Sequence, residues 1–586
     1  MPPERMVSKT TMNRFQAASP DKLRGGYYTS PLIAEALCNW AIRKPTDTVL
    51  EPSCGDGVFV KAAVKRLSLL GQLATSLPSQ VKGIEVICPE AKKARGRVES
   101  LIGADFGVSI ECVDYFVWYT QNYDRMYDCA VGNPPFIRYQ NFPEPSRTHA
   151  MRALEVLGLK ANRLTNIWVP FVAAATSQLK PGGRLAMVIP AELLQVSYAS
   201  QLREFLISQF VSIDILACNE MLFEGAEQEV ILLLADGKTQ KSKGDHSCRI
   251  DLVEERNITD LLAHTKTTQG KNGDGKVVHH DREKWLKYFL TKKEIALMRE
   301  LRGAGEVETL GLHATVDIGI VTGKNEFFVL SKDQINRHGL KQYAAPLVAR
   351  SSQLIGANLS KKDWSSLSEA GKRVYLFHLD RGANGSLSIK AKRYIEAGEA
   401  KSLHTNYKCS IRDPWYSVPS VWVPDCFLFR QIYDFPRIVK NTAKATSTDT
   451  IHRVRCKGSI ERFVRNAYTS LTAASAEIEG RSYGGGVLEL EPSEAERLLF
   501  PKLLHEALPL KDVDILIRSG HLGSLLNEND RLVLMDGLGL SRRECTTLRG
   551  IWQKMRNRRQ SRRRSPSVEK TSDRELFQPA AINSLA

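Results

Sequence analysis

Asn133, Pro134, Pro135 and Phe136 combine residue types that can grip a planar group bearing an exocyclic amine. The Asn side chain offers a carbonyl acceptor, and Pro134 presents a main-chain carbonyl on a stiffened turn. Phe136 adds a flat apolar face for stacking. An amine that donates both hydrogens to these acceptors keeps its lone pair available for attack on an electrophile. Taken alone, the same tetrapeptide also suits a Pro-terminated strand with an aromatic plug. The apolar run Met126 to Val131 precedes it and predicts a buried strand feeding the loop.

Six further apolar runs join that one as candidate strands: 48–50, 81–86, 109–113, 184–189, 211–217 and 229–235. Helical patterns intervene at 58–70, 166–179 and 191–209. Seven strands with crossover helices predict an α/β fold with a doubly wound sheet, whose ligands bind beyond the strands' carboxyl ends. The first strand runs into Glu51-Pro52-Ser53-Cys54-Gly55-Asp56-Gly57, where Gly55 and Gly57 permit a tight turn and close ligand approach. Neither G-x-G-x-x-G nor a Walker P-loop is present, so the loop suits a cofactor without a diphosphate. Glu85 ends the second strand and is placed to hold a ribose diol. Asp114 and Tyr115 end the third, able to pair with an adenine amine and stack on its ring.

With these motifs in order, the sequence resembles the γ-class of S-adenosylmethionine-dependent N6-adenine DNA methyltransferases, the TaqI type of restriction-modification systems. The likeness spans roughly 26–236 and includes Gly26-Tyr27-Tyr28-Thr29-Ser30-Pro31 as a leading motif. It implies a class I methyltransferase sheet and a cofactor, S-adenosylmethionine, whose carboxylate contacts Thr29. Glu51 and the Gly55/Gly57 loop would face its methionine part, Glu85 its ribose, and Asp114 with Tyr115 its adenine. Asn133, Pro134 and Phe136 would form the target-base site, with Phe223 as a second stacking aromatic. Phe136 stands where many relatives carry Tyr, a change that preserves stacking. The implied reaction is methyl transfer to the N6 of an adenine flipped out of double-stranded DNA.

Composition bounds the rest. The chain has 586 residues, 42% hydrophobic and 25% charged, and a net charge of +17 that favours a polyanionic partner. No apolar run approaches the ~20 residues of a membrane span. The amino terminus lacks an apolar stretch after its charges, so no secretory signal is expected and a cytoplasmic protein is. Eleven cysteines are scattered without a C-x-x-C pair, which predicts reduced thiols, no disulfide frame and no zinc site. His279 and His280 lack ligand partners at metal-binding spacing.

The expected organisation is an arm at 1–25, a catalytic domain at 26–245, a connection at 246–289 with one added strand at 249–253, and a mixed α/β target-recognition domain at 290–500. Within the last, 316–330 predicts two strands around a Thr-Gly turn. The region 416–455 interleaves Trp422, Phe427 and Phe429 with Arg430, Arg437, Lys440 and Arg453, as a sheet core with charged edges also would. A helical segment at 501–550 then leads to a basic tail at 551–586. There seven of the eleven residues 554–564 are Lys or Arg, a run expected to be flexible and to bind nucleic acid non-specifically.

RNA-base and protein-glutamine methyltransferases share the Asn-Pro-Pro-aromatic site, but they need neither so long a carboxyl-terminal region nor a basic tail. An inactive DNA-binding specificity protein is a further alternative, which the intact loops argue against. No P-D-x(n)-[DE]-x-K nuclease core is evident, so a cognate endonuclease is expected to be a separate protein.

Overall fold

A computed structural model describes residues 29–103, 106, 109–160, 165–218, 229–239, 247–267, 276–278, 284–379, 387–483, 486–502 and 505–561. Strands form at all seven expected places: β1 (Val49–Glu51), β2 (Val81–Glu85), β3 (Ile110–Cys112), β4 (Tyr127–Gly132), β5 (Leu179–Pro190), β6 (Phe210–Cys218) and β7 (Val230–Lys238). The sheet has nine strands rather than seven, in the order β3-β2-β1-β4-β5-β7-β6-β8-β9. The additions, β8 (Cys248–Glu255) and β9 (Lys276–Val278), come from the stretch read as a connection, so the sheet continues past residue 245. Buried Cys248 and Ile250 give β8 an apolar face, and Arg249 grips Asp214 on β6 at 2.9 Å. That pairing brings the extra strand alongside β6 in parallel register.

Alternate residues along the strands enter opposite layers. Leu185, Met187 and Ile189 face one core, while Ala186 and Val188 face the other. Helices α1 (Pro31–Ala41), α2 (Val58–Leu69) and α3 (Cys88–Ile102) close one face. On the other lie α4 (Tyr115–Asn122), α5 (Ser146–Val156), α6 (Trp168–Ser177) and α7 (Ser200–Gln209). A mainly parallel sheet needs such cover on both faces. The helix expected over 191–209 is broken at Val196, whose backbone is extended. Buried Arg203 accounts for the break, donating to the carbonyls of Leu193 and Val196 that a continuous helix would have used.

Two sheets dominate the carboxyl-terminal half. One orders strands 314–317, 451–456, 426–429, 438–441 and 358–359; the other orders 329–330, 375–377, 344–348 and 446–447. The two strands expected around the Thr-Gly turn therefore belong to different sheets. Val316 pairs with Val454 and Leu330 with Tyr375, and a short helix (Asn325–Phe328) fills the space between them. The last helices, α8 (Ser470–Glu479) and α9 (Arg542–Ser561), pack together.

Two expectations are overturned here. The basic run begins inside α9 rather than in a tail, because Leu548, Ile551, Trp552 and Met555 lie at helical spacing and are buried. Arg559 is 2% exposed and doubly bonded to Glu477, and Arg558 pairs with Glu254. Arg562, Arg563 and Arg564 lie outside the described residues, as do His279 and His280. Cys88 and Cys112 form a disulfide, with Cα atoms 5.2 Å apart, although no disulfide was expected. Sheet pairing of Glu85 with Cys112 places the start of α3 beside the end of β3, a proximity that a separation of 24 residues conceals. No described helix is long and apolar enough to cross a membrane.

Candidate active site

A cavity of about 720 Å³ opens at the carboxyl ends of β1, β2, β3 and β4, and Thr29, Gly55, Glu85, Asp114, Tyr115 and Asn133 all line it. Residues spread over more than a hundred positions are thus brought together at the edge where an α/β sheet holds its ligands.

Asn133 follows β4 directly. Its Nδ2 donates to Thr29 Oγ1 at 3.1 Å, a bond that fixes the direction of the side-chain amide. Thr29 is itself buried. Ser53, in the first loop, donates from Oγ to the Asn133 carbonyl at 3.4 Å, tying the two loops together. Pro134 is buried, and Pro135 and Ile137 contribute to the cavity wall. Phe136 does not line the cavity; it is half-buried and packs against the cores on both faces of the sheet. Phe223 lies outside the described residues.

The two glycines of the first loop divide their work. Gly55 has φ +51 with open space where a Cβ would stand, and its N–H donates to Glu85 Oε2 at 2.8 Å. Gly57 has φ +87, and a Cβ there would lie 2.7 Å from the Ala94 backbone. Gly55 therefore leaves room at the cavity, whereas Gly57 lets α3 approach. Glu85 Oε1 accepts from Ile87 N at 2.9 Å, so two main-chain donors orient this carboxylate in the wall. Burial raises its pKa, and those backbone bonds oppose the rise.

Glu51 is 1% exposed and sits behind the cavity surface. Burial, followed by repulsion from Glu85, holds its pKa well above the usual carboxylate range. Its Oε1 accepts weakly from Ser53 N, and its Oε2 has no hydrogen-bond partner among the described residues. Gly132 (φ +151) completes this corner, since a Cβ there would meet Glu51 Oε1 at 2.4 Å.

Asp114 caps α4, with Oδ1 accepting from Phe116 N and Val117 N at 2.9 and 3.0 Å. Its second oxygen makes no such bond among the described residues. Tyr115 departs from the expected role of a free stacking ring. It is buried, its hydroxyl donates to Gln178 at 3.0 Å, and its ring stacks on Phe171 with centroids 5.3 Å apart. Phe142 and Phe171 also reach the cavity wall. Sequence reasoning missed them, because their apolar context matches that of any core aromatic. Gly132 was legible as the residue before the Asn-Pro turn but was not singled out. Among the described residues, no cluster of His, Cys, Asp and Glu could hold a metal ion.

The model for the Eco57I restriction-modification methylase matches residues 75–223, and that for the C-terminal domain of Type II methyltransferase M.Eco57I matches 282–534. Type II methyltransferase M.AccI of Acinetobacter calcoaceticus is 23% identical over 490 residues, covering 80% of this chain and 84% of the relative. Type II methyltransferase M.XamI of Xanthomonas campestris pv. amaranthicola is 22% identical over 495 residues, covering 82% and 85%. The fold resembles that of the Type IIL restriction-modification enzyme MmeI, solved in complex with DNA, at a TM-score of 0.51 and 13% identity over 90% of this chain and 75% of that one. Matches at both domains, and relatives aligned along most of the chain, place this protein among the restriction-modification DNA methyltransferases.

Proposed function

We propose that the protein transfers a methyl group from S-adenosylmethionine to the N6 amine of an adenine flipped out of double-stranded DNA, as the modification enzyme of a restriction-modification system. The observation that carries this reading is the Asn133 amide, held by Thr29 in the wall of a cavity that Glu85 and Asp114 share. The residues present fit the cofactor. An unpartnered buried Glu51 oxygen suits a nearby cationic amino-acid end. Main-chain-oriented Glu85 suits a diol, and the second oxygen of Asp114 suits an adenine amine. The aromatic wall of Phe142, Phe171 and the Tyr115 stacked on Phe171 supplies the apolar surface for the ring.

The sulfonium of bound S-adenosylmethionine supplies the electrophilic methyl. Asn133 Oδ1 and the Pro134 carbonyl accept the two N6 hydrogens and so favour a pyramidal, more nucleophilic nitrogen. Phe136 stacks on the extruded base. The work is positioning and electrostatic stabilisation, without a covalent enzyme intermediate. No cysteine stands in this loop to act as the attacking thiol of carbon-5 cytosine chemistry.

Labelled-methyl transfer to duplex DNA, followed by sequencing of the modified bases, tests the proposal. Methyl found on cytosine, or none transferred to DNA, would refute it. Asn133→Ala is expected to bind the cofactor as before and to lose nearly all transfer.

A further inference from the structure

Among the described residues, three non-glycine residues hold positive φ, and two of them, Ser420 (+58) and Lys444 (+58), sit at one end of the five-stranded sheet. Such backbone costs energy and persists where the surroundings enforce it, often at functional positions. The enforcement here is visible. Buried Asn441 donates from Nδ2 to the carbonyls of Pro424 and Ala445, both at 2.8 Å, and its Oδ1 accepts from Ala445 N. Asn441 thus braces the Lys444 turn, and Arg453, donating to the Ser420 carbonyl, holds the other. Between them Asn441 N bonds to Asp425 O and Asp425 N to Val454 O, which brings Arg455 to the same end.

The guanidinium groups of Arg453 and Arg455 both lie over the ring of Trp422, 4.6 and 4.7 Å from its centre. These arginines differ in what remains available. Arg453 is 4% exposed, and its donors go to the carbonyls of Ile318 and Ser420. Arg455 and Lys444 are exposed, and neither has an acidic partner among the described residues. Some neighbouring cations of this half do pair with acids, as Arg430 does with Glu491, Lys440 with Glu461 and Arg518 with Asp363.

We propose that this end of the sheet is a duplex-DNA contact surface. Arg455 and Lys444 meet backbone phosphates, and Arg453 is a positioning residue that holds Trp422 and the Ser420 turn beneath Arg455. The inference rests on the DNA-directed reading above and gives that reading an address. A fork of guanidinium donors and a compact ammonium on braced backbone suit phosphate oxygens. The net charge of +17 favours a polyanion over a small acidic ligand.

Because phosphate contacts are blind to sequence, a fluorescein-labelled duplex of mixed sequence serves as the probe. Anisotropy titrations over a range of salt concentrations should show that Arg455→Ala and Lys444→Gly each lower the slope of log affinity against log salt by about 0.9. Each should weaken unrelated duplexes alike and leave S-adenosylmethionine binding unchanged. Lys444→Gly should melt no lower than the wild type, since glycine adopts the left-handed conformation freely. Wild-type protein that binds duplex, with slopes unchanged in both variants, would overturn the surface while leaving the proposed function standing. Wild-type protein that binds no duplex would overturn both.

Discussion

Glu51 and Gly132 form a pair in which each explains the other. The carboxylate occupies the volume that a Cβ at position 132 would need, and the backbone there has φ +151. Gly132→Ala is therefore expected to displace Glu51, lowering cofactor affinity measured by calorimetry at least tenfold while the protein still folds. The raised pKa values of Glu51 and Glu85 set a pH dependence with opposite signs for fold and ligand. Because the folded carboxyl groups hold protons more tightly than the unfolded ones, unliganded protein gains stability as pH falls through the raised pKa values toward the ordinary carboxylate range. A cationic cofactor needs the ionised form, so its affinity should rise with pH across the same window. Glu51→Gln should flatten that rise; an unchanged pH profile would assign the effect to Glu85 alone. At Phe136, loss of the ring should cost about 1–3 kcal/mol of binding to an extruded base. A fluorescent base analogue at the target position reads that loss, and an unchanged response would remove Phe136 from the base site. These residues were legible because each stands at a strand's end, where residue type and position together imply chemistry.

At the scale of elements, α9 shows apolar periodicity overriding composition. Its basic residues dominate the sequence, yet Leu548, Ile551, Trp552 and Met555 place one stripe against α8, and Arg559 goes inside with Glu477. Removing one partner of a buried pair leaves the other uncompensated. Arg559→Ala is expected to destabilise the protein by about 3 kcal/mol, read by chemical denaturation. Replacing both residues with apolar ones of similar size should recover most of that loss. Strand β8 makes the converse point. Its apolar alternation was legible as a strand, but its membership of the main sheet depends on pairing with β6 and on the Arg249–Asp214 contact.

Across the whole molecule, α9 joins parts that are far apart in sequence. Arg558 reaches Glu254 on β8 and lies 3.3 Å from the centre of the Phe289 ring, while Arg556 reaches Asp434. Gln195, just before the break ahead of α7, exchanges two hydrogen bonds with the backbone of Ser482. The two halves therefore meet through specific contacts, and a chain ending at residue 541 should lose cooperative unfolding by calorimetry. Retained cooperativity would show that α9 is dispensable for the union.

The amino-acid sequence by itself determined the seven strand positions, the loops between them and the cluster of polar residues at strand ends. It could do so because period-two burial and Gly or Pro turns are local properties of a chain. Tertiary structure alone decided that Tyr115 is buried against Phe171, that Gly57 serves α3 while Gly55 serves the cavity, and that Cys88 meets Cys112. It also decided which basic residues remain available, sending Arg453 and Arg559 inward and leaving Arg455 and Lys444 exposed. The physical reason is common to all of these. What a side chain touches depends on packing between segments distant in sequence, and a charge or a ring carries no local mark of the partner that will claim it.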